Sequence, residues 1–191
     1  MRRVTLGLTF VFLTTVQLVA EVKFGELRSD FAIASVEENL ANPKIPTHFI
    51  MMFPQGKSSN GGFLVLKCKN KETDVFYLAP SGEFFGFSSS PKIMVRFGSE
   101  QESKKISAIG SSGMGQSAFI KEPIKFITRL VTDGSVVLSG SHYSSSFTAL
   151  YEVDDMTADA IYSMADTCGL VKKLPERKDA KVVAPPPKIS Q

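Results

Sequence analysis

The sequence predicts an α+β fold that is mostly β: an antiparallel β-sandwich or partly open barrel, with a short mid-chain helix and a C-terminal helix packed on the sheet. Three observations predict it. Between Phe31 and Glu152, short apolar runs alternate with clusters of Gly, Ser, Asn, Asp and Pro, the pattern of antiparallel strands and their turns. Two stretches depart from that pattern and carry helical spacing instead. The length is that of one domain with a sizeable core, and fifteen Phe supply its volume.

The N-terminus comes first in the chain and decides the compartment. Met1-Arg2-Arg3 is a short positive segment, and Val4 to Val19 follows without a charge, up to Ala20 and Glu21. This layout predicts a secretory signal peptide over residues 1–20, cleaved between Ala20 and Glu21. A membrane-spanning helix needs ~20 apolar residues, and this run is shorter and interrupted by Thr14, Thr15 and Gln17. Leu18 breaks the small-x-small rule, so an uncleaved N-terminal anchor is the alternative. With no cysteine near the cleavage region, a lipoprotein is not expected. Cleavage removes Arg2 and Arg3, leaving 20 basic residues against 19 acidic ones. That balance excludes a basic surface for nucleic acid, and no membrane span is expected after cleavage. The expected location is the periplasm or the medium.

Residues 21–170 then read as one β-rich domain. Strands are predicted at His48–Phe53, Gly62–Cys68, Asp74–Ala79, Ile93–Phe97, Ser135–Gly140 and Ser146–Glu152, with Gln55–Gly61 as a turn cluster. Ile124, Phe126, Ile127, Leu130 and Val131 predict a short helix, opened by Pro123 and stopped at Asp133-Gly134. Asp155 is the expected cap of the last helix, whose Ala158, Ile161, Ala165 and Cys168 share one face before Gly169 closes it. From Val171 to Gln191 the Lys-rich composition and Pro185-Pro186-Pro187 predict a disordered tail, with a polyproline II ligand as the sharper reading.

The two cysteines follow from these elements. Leu64, Leu66 and Cys68 share one side of their strand, and Phe63, Val65 and Lys67 share the other. If the side carrying Lys67 is the wetter one, Cys68 points inward, as Cys168 does. Two inward cysteines in an exported chain are most economically paired, so a Cys68–Cys168 disulfide is predicted, stapling the last helix onto the sheet. Neither "FLVLKC" nor "MADTCG" supplies the basic, exposed surroundings of a reactive thiol.

Other chemistry is weakly represented. "GSSGMGQS", Gly110 to Ser117, lacks the closing Lys-Ser/Thr of a phosphate loop and reads as a surface loop. His48 beside Met51 and Met52 could suggest a soft-metal site, but a strand histidine among core methionines explains it as well. His142 lies in "SGSHYSSS" with no nucleophile elbow nearby, and paired carboxylates cannot be singled out. The expectation is a protein that is not an enzyme and takes no cofactor and no metal.

The order "FLVLKC", "DVFYLAP", "PKIMVRFG", "AFIKEPIKFITRLVTDGSVVLSG" and "FTALYEVDDMTADAIYSMADTCG" resembles the type VI secretion-associated family called TagO or VasI, over about Phe31 to Gly169. The chain has no Trp, and Gly98 follows Val95-Arg96-Phe97 where an acidic residue is expected. The resemblance implies an exported, non-catalytic accessory module, whose partner would be another envelope protein. "LSGSHY" is similar to the Ser-Gly-Ser-x-Tyr loop of the periplasmic C-type lysozyme inhibitors. That likeness implies the alternative, a cell-wall hydrolase inhibitor presenting Ser139, Ser141, His142 and Tyr143. For a binding module, Phe84, Phe85 and Phe87 in "SGEFFGFSSS" are the interface candidates, although aromatic residues there can also plug the open end of a β domain. Arg96, opposite Ile93, Val95 and Phe97, is expected to be solvated.

Overall fold

The computed structural model describes residues 27–37, 46–80, 85, 91–110, 115–143 and 145–176. In chain order these form β1 (Leu27–Arg28), β2 (Ala32–Glu37), β3 (Thr47–Met52), β4 (Gln55–Ser59), β5 (Phe63–Lys69), β6 (Glu72–Leu78) and β7 (Ile93–Phe97). Next come β8 (Lys104–Ile106), β9 (Ala108–Gly110), β10 (Ser117–Ile120), α1 (Pro123–Asp133), β11 (Ser135–Ser141), β12 (Ser146–Glu152), α2 (Asp155–Thr167) and a 3-10 turn at Val171–Lys173. The strands make two antiparallel sheets, ordered β1-β2-β3-β5-β6-β10-β9 and β4-β12-β11-β7-β8. Two separate sheets settle the alternatives in favour of a sandwich over a barrel.

Alternation builds the core. Ile50, Met52, Leu64, Leu66, Val75 and Tyr77 from the seven-stranded sheet meet Ile93, Val95, Val136, Leu138, Phe147 and Tyr151 from the five-stranded one in one continuous apolar cluster. Burying each such side chain contributes ~1.5–3 kcal/mol. The sheets meet at Gly62, whose N–H donates to the Tyr77 hydroxyl at 2.8 Å and whose carbonyl accepts from the Tyr151 hydroxyl at 3.0 Å. No side chain fits there, because a Cβ on Gly62 would collide with the Leu78 carbonyl oxygen. β5 and β6 are joined by Asn70 and Lys71, both at positive φ (51° and 65°), as a two-residue turn matching the strand twist requires.

The helices fill what the second sheet leaves open. α1 buries Phe126, Ile127 and Leu130, and the Phe126 ring meets Phe97 edge-on at 5.1 Å. α2 begins one residue earlier than predicted: the cap is Asp154, not Asp155. Asp154 keeps an extended backbone, and its carboxylate accepts the Thr157 N–H at 2.7 Å, while Asp155 is already helical. At the other end Leu170 N–H reaches the Ala165 carbonyl and Gly169 N–H the Asp166 carbonyl, with Gly169 at φ 68°. These two bonds satisfy the last carbonyls of the helix. Cys168, at that same end, is bonded to Cys68 on β5, with Cα atoms 6.4 Å apart. The predicted staple is thus present and closes a separation of 100 residues.

Several expectations need correction. Gln55–Gly61 is not all turn, since Gln55–Ser59 forms β4 at the edge of the smaller sheet against β12. β1, β2, β8, β9 and β10 have no counterpart among the predicted strands. Gly110 ends β9 and Ser117 opens β10, so the Gly-rich stretch joins two paired strands. The tail does not start at Val171: Leu174 is buried, Thr128 donates to the Lys173 carbonyl at 3.1 Å, and Tyr162 donates to the Pro175 carbonyl at 2.8 Å. Residues 177–191, the signal segment with Ala20 and Glu21, and Phe84 and Phe87 lie outside the described residues.

Two outcomes are expected from this architecture. Gly62→Ala should lower stability in urea denaturation by about 3 kcal/mol or more, because backbone must move to admit the methyl group. Replacing both Cys68 and Cys168 by Ala should cost ~2–5 kcal/mol in the same measurement. Intact-mass analysis of the native chain should find both thiol hydrogens missing.

Candidate functional site

β5 is apolar on both of its faces. Leu64, Leu66 and Cys68 point into the core, while Phe63 and Val65 share the opposite face with Lys67. Val65 is only 2% exposed, yet it lies outside the continuous core cluster. Its neighbours in register are apolar as well. Strand register aligns Ile33, Met51, Val65, Phe76, Phe119 and Ile109 in one row across β2, β3, β5, β6, β10 and β9. Phe76 and Phe119 stack at 4.9 Å within this row, and beside it Phe53 meets Phe63 edge-on at 5.8 Å. On its other side stands a parallel row of Ser35, Phe49, Lys67 and Asp74.

Among the described residues, both helices and the second sheet pack on the inner side of this sheet, leaving the outer face to itself. Ile33, Met51, Phe76 and Phe119 are half-buried, and Ile109 at the end of the row is 49% exposed. The outer face of the five-stranded sheet differs. There the rows read Gln55-Leu150-Val137-Arg96 and Thr148-Ser139-Met94-Lys105, mixed polar and apolar, and Arg96 sits outward as predicted. A sheet face bearing several aromatic residues is the larger departure from an ordinary surface.

Of the residues singled out from sequence, the structure joins Cys68 to Cys168 and brings His142 and Phe85 into one buried cluster. His142 is 5% exposed and turned inward, stacked on Phe147 at 4.7 Å, with Nε2 3.3 Å from the Tyr77 hydroxyl and Nδ1 3.4 Å from the Ser145 hydroxyl. Phe85 closes the same cluster, 5.4 Å from His142 and 5.8 Å from Tyr77, and is itself buried. It packs into the end of the sandwich, withdrawn from the surface. The loop of the inhibitor likeness therefore presents Ser141 and Tyr143, the latter 73% exposed, with His142 withdrawn and Ser139 half-buried within β11. Gly140 in that loop has a packing reason: a Cβ would press on the Phe147 ring and the Lys92 carbonyl. Alternation also separates His48 and Met52, which face inward, from Met51, which faces out. Among the described residues no group of three or more His, Cys, Asp or Glu stands at metal-holding distance.

The titratable groups whose ionisation the fold shifts lie away from the outer row. Burial pushes the Tyr151 phenol far above its usual range, so that it stays a donor to Gly62. The Phe97 N–H, Arg129 and Lys104 hold the Glu100 carboxyl down, from 4.5 to about 2. Arg129 itself lies 4.7 Å over the Phe97 ring and donates to Asp133 at 2.7 Å. His48, opposite Cys68 on β3, is lowered from 6.5 by burial, and its Nε2 is enclosed without a hydrogen-bond partner.

No family model, curated protein or solved structure matches the chain. No described helix is long and apolar enough to cross a membrane.

The pH response follows from signs. Glu100 is easier to ionise folded than unfolded, so its contribution is complete above 4.5 and lost as pH falls toward about 2. His48 is harder to protonate folded, so stability also falls as pH drops through 6.5. Denaturation midpoints measured from pH 8 to pH 2 should decline in both windows. Glu100→Gln should flatten the lower one and leave the upper one intact.

Proposed function

We propose that the protein is an exported, non-catalytic binding module that works through protein–protein contacts at the outer face of its seven-stranded sheet. The observation that carries this reading is the apolar row from Ile33 to Ile109, centred on Val65 and lying outside the core cluster. Aromatic side chains concentrated at the centre of a flat patch are the usual source of binding energy between proteins. Export is supported by the signal-like N-terminus and by the Cys68–Cys168 bond, a modification of oxidising compartments. The resemblance in element order to the TagO and VasI family makes an accessory of type VI secretion in the bacterial envelope the specific form of this reading.

A photo-crosslinking amino acid placed at Phe119 in producing cells tests it, with the same probe at Arg96 as the control on the opposite face. A protein adduct at Phe119 and none at Arg96 is expected, and Phe76→Glu should lower its yield about tenfold or more. Absence of an adduct at Phe119, or adducts only at Arg96, would remove the basis for this function.

A further inference from the structure

We infer that the occupant of this face is a second copy of the same chain, packed sheet to sheet about a two-fold axis between β5 and β6. The inference rests on the reading of the face as a binding surface and adds the partner. The apolar row has three members on each side of the β5–β6 boundary: Ile33, Met51 and Val65, then Phe76, Phe119 and Ile109. An axis running along the strands at that boundary places β5 of one copy over β6 of the other, β3 over β10 and β2 over β9. Val65 then faces Phe76, Met51 faces Phe119, and Ile33 faces Ile109.

The same operation matches charge. Lys67 and Asp74 are cross-strand partners flanking the row, so each Lys67 comes to stand over the other copy's Asp74. A patch that is its own complement in shape and in charge is what a two-fold interface demands. Twist also fits, since sheets of the same hand pack face to face with strand directions within about 30° of each other, and this axis keeps the strands of the two copies aligned. Six strands at ~4.8 Å spacing and five residues at ~3.3 Å rise give a face on the order of 500 Å². Two copies bury on the order of 1,000 Å², the area at which a specific interface becomes sustainable.

The test is sedimentation equilibrium of the purified exported chain, with charge swaps. The wild type should dimerise reversibly. Lys67→Asp and Asp74→Lys alone should each raise the dissociation constant about tenfold or more, and the double swap should restore it to within about threefold. Thermal melts of the diluted variants check that each is folded. In cells, a photo-crosslinker at Ile109 should map to β2 of a second copy, near Ile33. A monomer at all concentrations, with Ile109 captured by a different protein, overturns the dimer and leaves the binding face standing. A monomer with no adduct at Ile109 overturns both.

Discussion

Two tyrosine hydroxyls closing on one glycine peptide hold the sandwich in register. Tyr77 from the larger sheet and Tyr151 from the smaller one are both fully buried, and their hydroxyls meet the N–H and the carbonyl of Gly62. A buried hydroxyl left without a partner costs about 1–3 kcal/mol, so sliding one sheet against the other would strand both the Tyr151 hydroxyl and the Gly62 carbonyl. Apolar packing alone would tolerate such a slip far better. Once this junction is fixed, the parity of every neighbouring strand is fixed with it. The Tyr77 ring stacks on Phe147 at 4.4 Å, and His142 and Phe85 complete an enclosed aromatic end, so the chemistry-bearing side chains there serve structure.

Fixed parity is what makes the outer face informative. In an antiparallel sheet with one wet side, a strand alternates apolar and polar residues, whereas a strand covered on both sides reads as a continuous apolar run. "FLVLKC" reads as such a run, and its inner half is accounted for by the second sheet and α2. The outer half, with Met51, Phe76 and Phe119 aligned on Val65, matches no cover among the described residues. Hydrophobic area left in water contributes nothing, and about 25 cal/mol per Å² is recovered on covering it. A second twisted sheet is the shape that covers it most fully.

Much of this was readable from the sequence where strands are long and apolar, as at His48–Phe53, Gly62–Cys68 and Ser146–Glu152, and where helices carry their own stop signals. The disulfide was readable from the inward parity of Cys68 and Cys168. What escaped has physical reasons. β2 is "AIASVE", too small in side chain to stand out, and β4 is "QGKSS", held at its edge by backbone pairing with β12 and indistinguishable from a turn by composition. β8 to β10 are three or four residues long, below the length at which alternation means anything. Residues beyond Val171 are held by one buried apolar side chain, Leu174, and by hydrogen bonds to the Lys173 and Pro175 carbonyls, none of which a lysine-rich composition reveals. The candidate face escaped because Lys67 made its side of β5 look wet. The counter-signal was present in Phe63 and Val65, and it becomes decisive only when register adds Met51, Phe76 and Phe119 from three other strands.

The edges of the sheets explain why a face, and not an edge, is left for association. An open edge strand offers unpaired N–H and C=O groups to any passing chain, and proteins blunt such edges with short strands, lysines and irregularities. The larger sheet ends in β1 and β9, two and three residues long. The smaller one ends in β8, where Lys104 and Lys105 are exposed, and in β4, whose pairing with β12 shifts register between Thr148 and Leu150. Edge-to-edge addition, which propagates without limit, is thereby disfavoured at all four ends. Face-to-face packing across β5 and β6 closes after one partner, because it consumes the whole apolar row. An aromatic face between blunted edges is thus a geometry that permits a closed complex and resists open aggregation.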